Sequence, residues 1–113
     1  MVAKKYIPDR GDIIWITLDP ARGREQKGRR PALVLSPKNY NRKTDLLFAC
    51  PITSHCRGYP FEVEVDIAGI DGVILVDQAR CIAWKERGAV KLSKVSFNTL
   101  SLVQEKLKML LFT

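Results

Sequence analysis

The chain has 113 residues, 46% hydrophobic and 27% charged, which describes a globular protein and argues against disorder. That length suits one domain spanning residues 1–113, and no apolar run approaches the ~20 residues a membrane span needs, so no membrane contact is expected. Nineteen Lys and Arg against twelve Asp and Glu leave a net charge of +7.

In chain order, MVAKKYIPDRGD has basic residues but no apolar stretch behind them, so it does not read as a secretory signal, and a cytoplasmic location is expected. Asp12 to Leu18, rich in Ile, Trp and Thr, predicts a first strand covered on both faces. Trp15 in it fits core or an interface, with core favoured by its burial tendency. Asp19-Pro20 ends the strand, because proline cannot continue a ladder within a sheet. A basic loop, Ala21 to Arg29, follows. The next strand runs from Pro31 to Ser36 and stops at Pro37. Lys38 to Thr44 is a polar connection with room for a helical turn. Leu46 to Thr53 predicts a third strand, and Pro51 within it implies an edge position or a bulge.

Thr53 to Gly58 reads as a polar loop. Phe61 to Asp66 alternates apolar and acidic residues, the pattern of a strand with one wet face. Ile67 to Gly72 is a turn, Val73 to Val76 a short strand, and Ala79 to Ala83 another. Ala89 to Leu92 offers a further short strand. Ser96 suits a helix N-cap, and Leu100, Val103, Leu107 and Leu110 recur at helical spacing. Short strands followed by one amphipathic helix predict a mainly β fold, a small curled antiparallel barrel with a C-terminal helix.

The placement of charge says more than its total. Residues 1–21 carry three positive and three negative side chains, and residues 44–113 carry eight of each. The excess lies in residues 22–43, with eight positive groups and one acid, Glu25. Such concentration suggests a polyanionic partner, nucleic acid or an acidic peptide, against the plainer reading of a solvated basic loop. Arg30 stands nearest the second strand, so it is the best-positioned charge. Cysteines 50, 56 and 81 are three in number and lack a paired spacing, which argues against a disulfide framework. With His55 as the single histidine and no CxxC or HxxxH, neither a metal site nor a cofactor is expected. Cys50 reads as a small buried strand residue.

The segments PDRGDIIW, DPARGREQKGRRPALVLSP, CPITS, GYPFEV and VDQARCIAW, in this order and spacing, resemble the MazF toxins, also called the PemK-like family, over essentially the whole chain. The resemblance implies an SH3-like barrel of CcdB/PemK type, a homodimer, and the toxin of a type II toxin–antitoxin pair. It implies sequence-specific, metal-independent cleavage of single-stranded RNA to 2′,3′-cyclic phosphate and 5′-hydroxyl ends. The expected partner is a MazE-like antitoxin whose acidic tail blocks the RNA groove, with DNA reached only through that antitoxin. By resemblance, Arg30 takes the place of the catalytic arginine and Thr53 that of the catalytic threonine. Glu25 matches an acid implicated in some members, as general base or as a structural partner of an arginine. Gln26, Lys27, Arg29, Ser54 and His55 are expected along the RNA path. Asp77, Gln78 and Arg80 fall in the segment that resembles the base-reading region, the alternative being a sheet-edge hydrogen-bond network. A competing function is that of CcdB-like toxins, which share the barrel and poison DNA gyrase without catalysis.

Overall fold

The computed structural model describes residues 5–18 and 28–113. Seven strands form a curled antiparallel sheet in the order β4-β5-β3-β2-β1-β7, with β6 pairing to β3 off this path. The strands are β1 (Asp12–Thr17), β2 (Arg29–Val34), β3 (Leu47–Thr53), β4 (Glu62–Ile67), β5 (Ile70–Leu75), β6 (Arg80–Ile82) and β7 (Val90–Lys94). A short helix, α1 (Lys38–Thr44), links β2 to β3, and α2 (Phe97–Phe112) follows β7. The mainly β, curled fold with a terminal helix is therefore as the sequence pattern indicated. The polar connection after Pro37 is a full helix, ended by Asp45 in the left-handed conformation.

The pleat sorts β1, β2 and β3 onto two apolar layers. Ile13, Leu33, Cys50 and Ile52 join one core with Val63, Val65 and Ile74, closed by Val103, Leu100 and Leu107 of α2. Ile14, Ile16, Ala32, Val34, Leu47 and Ala49 pack into the other with Ile82 and Trp84. The inner isoleucines of β1 are fully buried, as a strand covered on both sides requires. Ser96 caps α2 by accepting a hydrogen bond from the Thr99 N–H at 3.1 Å. The buried stripe of α2 stops at Leu107, so Leu110, expected on it, is 43% exposed.

Three local features differ from expectation. Pro51 is not on an edge strand. On one side β3 pairs with β2, Pro51 opposite Ala32. On the other it pairs with β6 through Ala49 and resumes with β5 at Ile52, so Pro51 falls in the gap between two partners. A residue without an N–H is tolerated there because no ladder bond is due at that point. Pro31 does not begin β2 but lies inside it, opposite Trp15. Finally, residues 67–72 are not one turn: β4 and β5 form a tight hairpin whose two loop residues, Ala68 and Gly69, have φ of 54° and 81°. Positive φ at both positions matches the twist of the flanking strands.

Candidate functional site

Beyond Ala32 and Ala49, the second apolar layer gives way to polar side chains. The β2–β3 register pairs Ala32 with Pro51, and its continuation brings Arg30 level with Thr53. Directly opposed residues of an antiparallel pair project to the same face. Both side chains therefore leave the sheet together, at the end where the apolar core stops.

Two lobes of one groove meet at this pair. A cleft of about 270 Å³ is lined by Leu18, Arg30, Pro51, Thr53, Gln78 and Arg80, among others. A second, of about 410 Å³, is lined by Trp15, Arg29, Arg30, Thr53, Ser54, His55 and Asp71, among others. Arg30, Ile52 and Thr53 belong to both. Among the described residues, the groove gathers three arginines against the single carboxylate of Asp71.

The arginines differ in what they hold. Arg30 is exposed and has no hydrogen-bond or ion-pair partner among the described residues. Arg29, one position earlier, donates to Thr17 Oγ1 at 3.1 Å, to the Trp15 carbonyl at 3.2 Å and to the Gly88 carbonyl at 3.0 Å. Its guanidinium also lies 6.0 Å from the centre of the Trp15 ring. Arg80 donates to the Leu18 carbonyl at 3.3 Å. Trp15 is half-buried and faces the groove under Arg29, not the core the sequence favoured.

Thr53 ends β3 with its hydroxyl oxygen accepting the His55 N–H at 3.2 Å. The plain reading of a strand-end threonine is thus half true, yet the hydroxyl proton stays available to a ligand. Its backbone is held by a close approach: a Cβ on Gly72 would lie 2.1 Å from the Thr53 carbonyl oxygen, so only glycine lets β5 reach the end of β3. Ser54 and His55 follow in an exposed loop, with Ser54 and His55 both lining the second lobe.

The loop from Ser54 to Phe61 is shaped by Glu62. Its carboxylate accepts the Arg57 N–H at 3.0 Å and the Gly58 N–H at 2.9 Å, with the Cys56 thiol at 3.5 Å. Partial burial pushes the Glu62 carboxyl up, but these donors outweigh it and hold the group below its ordinary range. Asp77 is exposed and does not line either lobe; it accepts the Tyr59 hydroxyl at 3.0 Å and 3.2 Å. That hydrogen bond first, and the Asp77 charge after it, raise the Tyr59 pKa. Neighbouring Gln78 does reach the groove.

Of the residues singled out from sequence, Arg29, Arg30, Thr53, Ser54, His55, Gln78 and Arg80 meet in the groove. Glu25, Gln26 and Lys27 lie outside the described residues. Sequence reading missed Trp15 and Asp71 as groove residues. The parity of Trp15 with Thr17 was a usable signal; Asp71 was hidden by taking its hairpin for a turn. Among the described residues, no three His, Cys, Asp or Glu side chains cluster as metal ligands do.

A small curled β protein with an arginine-lined groove and a strand-end hydroxyl offers groups whose chemistry suits phosphate oxygens. Comparison with known proteins narrows this. Residues 9–111 match the family described as PemK-like, MazF-like toxin of type II toxin-antitoxin system. The endoribonuclease toxin MazF of Escherichia coli strain K12 is 46% identical over 110 residues, covering 97% of this chain and 99% of that protein. The endoribonuclease PemK of Escherichia coli is 40% identical over 84% of this chain and 75% of its own length. Among solved structures, MazF from Deinococcus radiodurans superposes with a TM-score of 0.86 at 45% identity, covering 96% of this chain and 100% of the other. A MazE–MazF structure from the same organism gives 0.84 at 42% identity, covering 95% and 97%. The chain belongs to the PemK-like, MazF-like family of type II toxins.

Proposed function

We propose that this protein is the endoribonuclease toxin of a type II toxin–antitoxin pair, cutting single-stranded RNA at short sequences without a metal ion. The observation that carries this is Arg30: a guanidinium without a partner among the described residues, level with the Thr53 hydroxyl on one face of two adjacent strands. The names of the relatives support the activity, and the MazE–MazF structures of a relative support an antitoxin partner. Non-catalytic gyrase poisoning is not favoured, because that role has no need of a free arginine beside a hydroxyl in a groove.

In this reading the RNA's own 2′-oxygen bonds to phosphorus, the bond from phosphorus to the 5′-oxygen breaks, the 5′-oxygen leaves as a hydroxyl with a proton taken from solvent water, and a 2′,3′-cyclic phosphate remains. Arg30 stays protonated and binds non-bridging oxygens through its planar fork, meeting the charge that grows in the transition state. Thr53 donates a hydrogen bond from its hydroxyl to a non-bridging oxygen of the same phosphate. Glu25 takes the 2′-hydroxyl proton. Arg29 and Arg80 add positive field, Gln26 and Lys27 extend the RNA path, and Ser54, His55 and Gln78 meet the bases, whose edges are free in a single strand.

The same reading holds that the chain acts as a single domain in the cytoplasm, without a cofactor. A MazE-like antitoxin covers the groove with an acidic tail, and DNA is reached only through it. A homodimer is supported by the apolar surface left open at the end of the sheet. There the edge strand β7 exposes Val90 and Leu92; separately, the last turn of α2 exposes Met109, Leu111 and Phe112. Exposed large apolar residues on an edge strand favour a partner surface.

The test is incubation with a long, sequence-diverse RNA in EDTA, followed by mapping of the new ends. Discrete cuts with 5′-hydroxyl ends are expected. A folded protein that leaves the RNA intact, yet captures gyrase, would reverse the assignment.

A further inference from the structure

The mouth of the groove carries a contact that the chemistry above does not use. Tyr59 and Asp77, eighteen residues apart in sequence, are joined by the phenol hydroxyl donating to both carboxylate oxygens. Around them, the Val76 N–H donates to the Phe61 carbonyl at 2.9 Å, and the Ala79 N–H donates to the Val76 carbonyl at 3.3 Å. The turn that presents Gln78 is thereby bound to the loop that presents Ser54 and His55. One partner, Gln78, lines the first lobe; the others line the second. The Glu62 carboxylate ties that loop down from its near side, and beside the Val76–Phe61 backbone bond the Tyr59–Asp77 contact is the side-chain link from the loop to the turn.

Resting on the nuclease reading, we propose that Tyr59 and Asp77 form a specificity-setting pair. Their hydrogen bond fixes Gln78 relative to the Ser54–His55 loop, and so sets which base of a single-stranded RNA the groove accepts. Asp77 then acts as a positioning residue through Tyr59 and not as a direct base contact. The carboxylate is occupied by a phenol, and it points to neither lobe. A side-chain amide offers a donor and an acceptor, so a small rotation of Gln78 changes the base edge it matches. A loosened turn should therefore relax discrimination without removing the cutting machinery at Arg30 and Thr53.

The experiment digests a pool of short randomised RNAs in EDTA with wild type, Tyr59→Phe, Asp77→Ala and the double variant, and counts the sequences cut. Thermal unfolding of each variant runs beside it. Tyr59→Phe removes one hydroxyl and keeps the ring. It should lower discrimination at one position of the recognised sequence by roughly three- to tenfold. Asp77→Ala should relax the same position by the same factor, and the double variant should be no worse, because the two act as a unit. Unchanged discrimination in Tyr59→Phe would overturn the inference. So would a loss equal at every sequence that follows a drop in unfolding temperature. A larger effect of Asp77→Ala than of Tyr59→Phe would also overturn it, by showing that Asp77 touches the RNA itself. If wild type cuts nothing, the nuclease reading fails first, and the two failures are thereby told apart.

Discussion

Two ends of the same three-strand unit treat charge in opposite ways. At the start of β1, Asp12 is only 2% exposed, and its carboxylate is enclosed by donors. Tyr6 donates its hydroxyl at 2.6 Å, Asp9 its backbone N–H at 3.0 Å and Lys94 its ammonium at 3.3 Å, while Lys91 pairs at 3.8 Å. Burial, and then the Asp12 contact, hold the Tyr6 hydroxyl firmly protonated. At the start of β2, Arg30 stands exposed with no partner among the described residues. The first arrangement spends its charge on joining the N-terminal segment to β1 and β7. The second leaves its charge open to the groove. A charged group with all its partners in place stabilises a fold, and removing one partner strands the others. A charged group without partners stabilises little, so its use lies elsewhere.

Substitutions at the two ends should accordingly separate activity from stability. Apart from Arg30 itself, Gly72→Ala should have the largest effect at the groove end. Its new methyl cannot coexist with the Thr53 carbonyl, so β5 must withdraw and shift Thr53. Cutting should fall by roughly a hundredfold, as expected when a transition-state donor is misplaced. Single-turnover rates on one short RNA would measure it, and a rate within twofold of wild type would show that Thr53 is not held by this contact. At the other end, Asp12→Ala should cost about 2–3 kcal/mol in urea unfolding, because Tyr6 and two lysines lose their acceptor. Its folded fraction should cut RNA at the wild-type rate. A selective loss of rate would mean that the two ends are coupled.

Arg29→Ala sharpens the contrast, since Arg29 is adjacent to Arg30 yet is bound as Asp12 is. It should lower stability by about 1–2 kcal/mol through its lost carbonyl contacts, and cutting by less than about tenfold. A loss of cutting as deep as that of Arg30→Ala would dissolve the distinction between the neighbours. The smallest effect concerns thiols. Burial, and then the charge of Asp77, push the Cys50 thiol up to about 12, while Cys56 and Cys81 are exposed. The thiolate is the reactive form, so iodoacetamide at pH 8 should label Cys56 and Cys81 quickly and Cys50 only on unfolding. Peptide mapping by mass spectrometry would check the order.

A pH effect belongs to the loop beside the groove. Glu62 has its carboxyl held below the ordinary value of 4.5 in the folded protein. Its contribution is therefore present above that pH and drains away as pH falls through the lowered folded value. Hydrogen exchange of the Arg57 and Gly58 amides, slow at neutral pH, should lose that protection on acidification.

The strands were legible because their pattern is local. Ile13, Ile14 and Ile16 mark a strand buried on both faces, and the alternation through Glu62, Glu64 and Asp66 marks one with a wet side. Arg30 was legible as the charge closest to a core strand, and the family motifs singled out Thr53. Pairing was not legible. Nothing in LLFACPIT says that β3 changes partner from β6 to β5 at Pro51, so the proline was read as marking an edge or a bulge. The hairpin at Ala68–Gly69 was missed because alanine rarely adopts the left-handed conformation that Ala68 takes here. The fate of Arg29 depends on Gly88, and that of Asp77 on Tyr59; both are tertiary contacts that spacing alone does not reveal. Trp15 was assigned by the general tendency of tryptophan, which the groove overrode.

Arg30→Ala, compared with wild type in RNA cutting and in urea unfolding on the same preparations, goes to the centre of this account. Cutting in EDTA should fall by roughly a thousandfold, the scale of losing a fixed positive charge at the reacting phosphate, while the unfolding midpoint stays unchanged. Substantial cutting by the folded variant, or a loss of stability comparable with that of Asp12→Ala, would contradict the claim that this arginine is kept free for the substrate.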